Sequence, residues 1–485
     1  MPYLIGCDIG TTNVKTTAFD AETGAILGTR SHGYEMSHPQ AGWSEQDPEA
    51  IYQALLTCIR QVCQQDARHG ALLGISFSSA MHGVLALDRN GKALTQLIIW
   101  ADNRSAAIAD RLRNSDTGRE IYQRNGTPIH AMAPVCKLIW LRQEMPELFA
   151  RAHKFVAIKE YVIYRLTGKF LVDYSIASAT GLFNIHEKKW DIWTLGEIGL
   201  PIEKLSTAVS PYFQQPLEEG NELGVSAGVP LIMGASDGCL ANLGSGSYAS
   251  DSMTVTIGTS AATRVSASKP YLDPKMRTFC YILDEETYIV GGASNNGAVI
   301  FDWLKDTFFE GSSYETVFDQ AIQTPAGADG LMFYPYLLGE RAPLWSSSVR
   351  GGFTGLDIQH KKGHFVRAVM EGVLLNLYNV AEVLIRKNEV QKIYANGGFA
   401  HSNLWVQMLA DVFGLPVSLN DTVETGTVGA VMMAMKSLGL VHHYSEMKLF
   451  TPVSVMFETN LEVHAVYRKA AIRYDREYVA FDSFS

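Results

Sequence analysis

Two stretches hold residues whose types and spacing could do chemistry on phosphate. In "CDIGTTNVKTTAFD" (Cys7–Asp20), an apolar run ends near Asp8, turns at Gly10-Thr11-Thr12-Asn13 and re-enters a half-apolar run. "TVTIGTSAATRV" (Thr254–Val265) repeats that plan around Gly258-Thr259-Ser260. In such a turn consecutive backbone N–H groups point into one concavity, and threonine hydroxyls add donors. Glycine suits the position because a Cβ would hold an anion off the backbone. Two such loops facing each other across a cleft would grip a polyphosphate from both sides. A carboxylate ending a buried strand, as Asp8 does, is costly unless it is paired, hydrogen-bonded or near a cation. Magnesium on a nucleotide would supply that cation, reached through water because Mg²⁺ gives up its waters reluctantly.

A second aspartate stands in "VPLIMGASDGCLANL". There an apolar strand (Val229–Met233) meets a small-residue turn (Gly234-Ala235-Ser236), and Asp237 opens a helix. Aspartate is a common helix cap. The functional alternative is a general base, since a hydroxyl attacking a phosphoryl group needs a proton acceptor within ~3 Å, typically worth ~10²–10⁴ in rate. "SFSSAMHG" and "LIIWADNRS" set Met81, His82, Trp100, Asp102 and Arg104 at strand ends, where ligands of α/β sheets bind. A polyol site wants hydroxyl-binding carboxylates and an aromatic or apolar wall, and this cluster offers both. Two other phosphate motifs are excluded. "NGKAL" and "TGKFL" lack the Ser or Thr of a P-loop. "GSGSYA" (Gly244–Ala249) has dinucleotide-type glycine spacing, but no apolar strand feeds it.

The elements that must position these residues read as alternating strands and helices. Strands are expected at Tyr3–Asp8, Val14–Phe19 and Ile26–Ser31, the last two joined by the turn "AETG". A helix follows, capped by Asp47 with Pro48 in its first turn and Ile51, Leu55, Ile59 and Val62 along one stripe. A strand at Leu72–Phe77 and a strand pair around Val84–Asp88 and Leu97–Trp100 come next. The second half reads as a hairpin (Phe279–Leu283 with Thr287–Val290), a helix around Gly297–Phe308 and a long helix over "HFVRAVMEGVLLNLYNVAEVLIRK". "KIYANGGFAHSNLW" then reads as strand, Gly397-Gly398, helix. The pattern is an α/β class. The 248 positions between Ile9-Gly10-Thr11 and Ile257-Gly258-Thr259, about one domain length, predict a duplicated architecture. The expected domains are 1–245 and 246–485, joined through "GSGSYASD".

Composition sets outer limits. The chain has 485 residues, 47% hydrophobic and 19% charged, which is ordinary for globular proteins and long enough for two domains. A net charge of -10 argues against nucleic acid and anionic membrane surfaces. Six cysteines without CxxC spacing fit a reducing compartment and no zinc site. With no signal-peptide pattern and no run of ~18 apolar residues, a cytoplasmic protein is expected.

The motifs together resemble the FGGY carbohydrate kinases of the actin/hexokinase/Hsp70 ATPase superfamily, over nearly the whole chain. "DIGTTNVK" and "TIGTSA" are similar to that family's two phosphate loops. "MAPVCKLIWLRQE" (Met132–Glu144) and "GGFTGLDIQHKKGHFVRAVMEGV" (Gly351–Val373) are similar to its two signatures, and "NGGFAHSNLW" to its adenosine loop. The resemblance implies two duplicated actin-like, ribonuclease H-like domains around a cleft, and ATP-dependent phosphorylation of a small sugar-like substrate. It implies Asp237 as catalytic base and Asp8 as the carboxylate that places Mg²⁺. Thr11, Thr12, Asn13, Gly258 and Thr259 would hold phosphates, with Gly398 and Ser402 at the adenosine and Gly297 or Asp302 lining that side. Met81, His82, Trp100, Asp102 and Met132 match substrate positions. "SFSSAMH" with "WADNRS" looks most like bacterial gluconate kinases, the alternative being a xylulose or other pentulose kinase. A gluconate carboxylate would need a local cation or donor, for which His82, Arg104 and Lys137 are the candidates. The implied partners are a sugar or sugar acid and at most a second copy of the chain. A chaperone-like ATPase and an inactive relative are the rivals. The first lacks an appended peptide-binding segment after about Leu440, and the second is opposed by Asp8, Asp237 and both glycine loops.

Overall fold

In the computed structural model, which describes residues 2–66, 70–420 and 424–478, the expected echo becomes an architectural repeat. The N-terminal half builds a sheet from β1 (Pro2–Ile9), β2 (Asn13–Asp20), β3 (Ile26–Gly33), β4 (Ala71–Ser79), β5 (Gln214–Pro216) and β6 (Pro230–Ser236), ordered β3-β2-β1-β4-β6-β5. The C-terminal half uses β7 (Ser252–Ile257), β8 (Ala261–Ala267), β9 (Phe279–Ile282), β10 (Tyr288–Ser294), β11 (Lys392–Asn396), β12 (Val417–Asn420) and β13 (Val453–Phe457), ordered β9-β10-β8-β7-β11-β12-β13. Set β1 on β7, and the two sheets correspond. Each opening strand pairs antiparallel with the next, which pairs antiparallel with a third. On its other side each pairs parallel with a later strand (β4 or β11), which in turn pairs parallel with another (β6 or β12). The chain is an α/β protein of two such units.

The helices follow from capping and stripe. Helix α1 (Pro48–Gln61) starts where Asp47 accepts a hydrogen bond from the Glu49 N–H at 2.9 Å, and it buries Ile51, Leu55 and Ile59 against the N-terminal sheet. Helix α2 (Pro134–Glu144) buries Val135, Leu138 and Leu141, and α3 (Asp237–Gly244) runs directly out of β6. In the second half α4 (Val299–Phe308) follows β10, and α5 (Lys362–Asn388) is the core helix. Helix α5 is the one described helix long and apolar enough to cross a membrane, and most of it is buried inside the protein. Several of its polar groups are paired there: Arg367 Nε meets Glu371 Oε1 at 2.8 Å, and Asn376 donates to Glu340 at 2.9 Å. Helix α6 (Asn403–Phe413) is capped by Ser402. Helix α7 (Thr425–Ser437) crosses back to lie on β1, β4 and α3, so the two halves share a buried seam.

The segment between β4 and α2 departs from expectation. Val84–Asp88 and Leu97–Trp100 shrink to strands Leu85–Leu87 and Leu97–Ile98, joined only by a Val84–Ile98 bridge. Each takes a distant partner instead, Lys154–Val156 and Glu45–Gln46 respectively. Partner choice across some 50 positions is invisible to local alternation. All six cysteines are free.

Candidate active site

Asp237 owes its position to a bulge. Parallel pairing of β6 with β4 slips between Ile232 and Ala235. Gly234 sits there at φ +65°, and a Cβ on it would stand 2.1 Å from the Phe77 carbonyl oxygen, so only glycine fits. Beyond the slip the ladder resumes, Ala235 with Ser78 and Ser236 with Ser79, and Asp237 follows at the end of the sheet. Beneath, the buried Lys159 ammonium pairs with Asp173 at 2.7 Å and donates to the Met233 and Ala235 carbonyls at 3.1 and 2.9 Å. That fixes the strand end from below. The Asp237 carboxylate accepts one short bond, from the Gly238 N–H at 2.7 Å. Burial first, and the nearby negative charge of Asp8 second, push its pKa up to about 6.

Asp237 lines a cavity of about 220 Å³ between the halves. Met81, His82, Trp100 and Met132 line it from the N-terminal half, together with Thr11 of the first glycine turn. From the C-terminal half come Ser260 of the second turn, Arg264, Phe279, Tyr281 and Arg341. Both glycine turns therefore meet at one cavity. His82 is held at φ +68°, and its Nδ1–H donates to the Ala179 carbonyl at 2.8 Å. That bond fixes the tautomer: Nε2 carries the lone pair, 3.5 Å from the Tyr281 hydroxyl. Burial and the Lys137 charge push the His82 pKa down to about 3. The ring is a neutral acceptor of a hydroxyl, and it does not supply a cation for a carboxylate.

Asp102 and the other two cations fall outside the cavity lining, which corrects the sequence-based expectation for them. Asp102 is fully buried, and its oxygens are used up by the Ser44 N–H at 2.7 Å and by Arg104 through its backbone N–H, Nε and Nη2 at 3.0, 2.9 and 2.8 Å. Arg104 also reaches Glu45 at 2.6 Å and lies 3.7 Å above the Trp43 ring. Lys137 Nζ donates to the carbonyls of His82, Ile99 and Met132 at 2.7, 2.7 and 2.9 Å. Its three donors tie together the three segments that form the wall, and burial brings its pKa down to about 7. These groups position the site without facing it.

Of the residues expected on the nucleotide side, Thr11, Thr12, Asn13, Gly258 and Thr259 lie in or beside the two turns. The Gly10 N–H closes on the Asn13 carbonyl at 3.0 Å, and the Trp100 indole N–H donates to Thr11 Oγ1 at 2.9 Å, linking turn to wall. Thr12 is exposed at the tip. In the second turn the Gly258 N–H bonds the Ser260 carbonyl at 2.9 Å. Gly297 packs onto that turn: its N–H reaches the Thr259 carbonyl at 3.1 Å, and a Cβ would stand 2.4 Å from the Gly258 oxygen. Its place is to support the second glycine turn. Asp302, on α4, accepts from the Tyr314 hydroxyl at 2.8 Å. Gly398 is exposed just after β11, and Ser402 accepts from the Trp405 N–H at 3.3 Å. Asp8 takes the Ser78 hydroxyl at 2.6 Å and is pushed up by burial. A Cβ at Gly426, in the first turn of α7, would lie 2.8 Å from it.

Arg264, Arg341 and Tyr281 are cavity residues that the sequence reading missed. Arg264 was legible in principle, as the single charge in the otherwise small and apolar strand "AATRVSA", on the same face as Ala262 by the period of two. Arg341 lies in the irregular stretch after β10 and the helices that follow, where no periodicity marks it.

Comparison with known proteins agrees with this geometry. The model of the N-terminal domain of the FGGY family of carbohydrate kinases matches residues 3–244, and that of the C-terminal domain matches residues 253–438. A gluconokinase from Bacillus subtilis is 39% identical, covering 91% of this chain and 89% of that one. Crystal structures of a gluconate kinase and of a ligand-bound xylulose kinase, both from Lactobacillus acidophilus, superpose with TM-score 0.95 at 34% identity over 100% of each chain. The chain belongs to the FGGY family of carbohydrate kinases, and it is a sugar kinase that draws its phosphoryl group from ATP.

Proposed function

We propose that the substrate is D-gluconate, phosphorylated on its terminal hydroxyl to give 6-phosphogluconate and ADP. The observation that carries this reading is the charge of the cavity: among the described residues that line it, two guanidinium groups, Arg264 and Arg341, stand against a single carboxylate, Asp237. A cavity with one cation in excess suits an anionic sugar. The 39% identity to a gluconokinase supports the same choice.

In this reading Asp237 accepts the proton of the terminal hydroxyl as that oxygen attacks the γ-phosphorus in line with the leaving ADP oxygen. A base with pKa about 6 is ionised at neutral pH yet basic enough to take a proton as the bond forms. The His82 Nε2 lone pair accepts a sugar hydroxyl, and Met81, Trp100 and Met132 wall the carbon chain. Thr11, Thr12, Asn13, Gly258 and Thr259 hold the phosphates, Gly398 and Ser402 the adenosine, with Asp302 on that side. The division into units at 245/246 belongs to the same reading. Mg²⁺ fits the residues present, because Asp8 is a largely desolvated carboxylate whose one side-chain hydrogen bond among the described residues comes from Ser78, and a cation would offset that desolvation. When bound, the ion would neutralise charge on the phosphates. Closure of the two halves would exclude water, which would otherwise make the enzyme an ATPase.

The equal likeness to a xylulose kinase structure favours a ketopentose as second reading. An ADP-release assay over gluconate, xylulose, ribulose and glycerol separates the two. Gluconate is expected to give the highest kcat/KM. Turnover of xylulose without stimulation by gluconate would overturn the choice.

A further inference from the structure

Four buried or half-buried cations surround the substrate cavity, and they divide into two kinds. Arg104 and Lys137 have their donors satisfied by protein acceptors. Arg264 and Arg341 do not. Arg264 leaves β8 opposite Gly291, where the Thr263 carbonyl and the Phe279 ring pack too closely for any side chain. It makes no hydrogen bond or ion pair among the described residues, although a Cβ on neighbouring Gly238 would lie 3.2 Å from its Nε and Nη2. Arg341 spends Nη2 on the Ser294 carbonyl at 2.9 Å, while its buried Nε–H has no acceptor. Its guanidinium carbon stands 5.1 Å from the centre of the Trp100 ring. The adjacent Glu340 stabilises its charge through space but makes no side-chain pair with it. That carboxylate already takes Ser294 Oγ, the Asn295 N–H, Asn376 Nδ2 and the Arg341 N–H at 2.7, 3.1, 2.9 and 2.7 Å.

A buried donor without an acceptor costs stability, and a buried cation without a counter-ion costs more. Such a group persists where a ligand completes it. The guanidinium fork matches a carboxylate with two parallel bonds. Among the described residues that line the cavity Asp237 is the one carboxylate, and in this reading it is needed for the proton.

We propose that Arg264 and Arg341 together bind the carboxylate of the sugar acid, anchoring that end of the substrate on the C-terminal wall while the terminal hydroxyl lies at Asp237. This rests on the reading of the substrate as gluconate and names the residues that choose it over a neutral sugar. Burial pushes both guanidinium groups down, Arg341 to about 10, and the delocalised guanidinium is the side chain that keeps its charge when buried.

The test compares gluconate with gluconamide, which keeps every hydroxyl and loses only the charge. Wild-type enzyme should prefer gluconate by about 100-fold in kcat/KM, the scale set by leaving a buried charge unpaired. R264Q should cut that preference at least ~10-fold, chiefly through KM for gluconate, and R264K should recover part of it because the charge returns without the fork. R341Q should act in the same direction. Melting temperature and KM for ATP report folding, and if R264Q fails to fold, R264K and R341K read the same ratio. Three results would overturn the inference. In the first, a folded variant keeps the wild-type gluconate-to-gluconamide ratio while wild type still prefers gluconate, which leaves the substrate reading intact. In the second, the loss is equal on both compounds, which would mean that Arg264 acts on Asp237 or on phosphate. In the third, wild-type enzyme does not turn over gluconate at all, and the substrate reading falls with it.

Discussion

Asp102 with Arg104 and Asp237 with Arg264 are the same two residue types, the first pair with buried side chains beside the cavity wall and the second pair half-buried in its lining. In the first pair the partners close on each other at 2.8 Å and every carboxylate oxygen is occupied. In the second the arginine stands close enough to stabilise the Asp237 charge but forms no ion pair, and the carboxylate keeps one backbone donor. The fold spends the first pair on holding Ser44, Glu45 and the Trp43 ring together. The second pair keeps its lone pairs and N–H groups for something else. Burial with full satisfaction marks scaffold, and burial with open valences marks a site.

The sharpest way to break this contrast is to remove the charge from each aspartate in turn. Asp237→Asn should lower kcat on gluconate by roughly 10²–10⁴-fold, the range for a lost general base. It should also stabilise the protein at neutral pH. The folded pKa of about 6 lies above the ordinary aspartate value of 3.8, so the stability linked to this group is full below about 3.8 and lost as pH rises through 6. The asparagine variant escapes that loss, which amounts to on the order of 1–3 kcal/mol above pH 6. Urea melts at pH 5 and 7.5 would show the gain growing with pH. Asp102→Asn should do the opposite. It leaves Arg104 buried without its counter-ion, a loss of about 3–5 kcal/mol for a broken buried pair. The molecules that stay folded should keep their KM for the sugar, because Asp102 does not line the cavity. A large rise in KM without loss of stability would place Asp102 in the substrate site and undo the comparison.

How far the sequence carried can be judged from the same residues. The strand–turn–strand plan around Gly10 and Gly258 was visible because strands and glycine turns are local, and their 248-residue offset already implied the repeated sheet order. Asp237 stood out because a strand, a small-residue turn and a helix start lie within a dozen positions. Asp102, Arg104 and Lys137 were also noticed, but the sequence could not say which way they face. Asp102 is saturated by Ser44, 58 positions away, and Lys137 by carbonyls as far as 55 positions off. Arg264 and Arg341 were missed for the complementary reason. A side chain is recognised as unsatisfied only when the whole surrounding set of acceptors is known, and that set is assembled by tertiary packing.

The most direct test of the central claim, that Asp237 takes the proton, is the pH dependence of kcat with saturating ATP and gluconate. Wild-type enzyme should lose activity on an acid limb with a midpoint near pH 6, the value to which burial and Asp8 push this carboxyl, falling tenfold per unit below it as the base protonates. The small residual activity of Asp237→Asn should show no such limb. A wild-type profile flat from pH 5 to 8, or the same acid limb persisting in Asp237→Asn, would contradict the assignment.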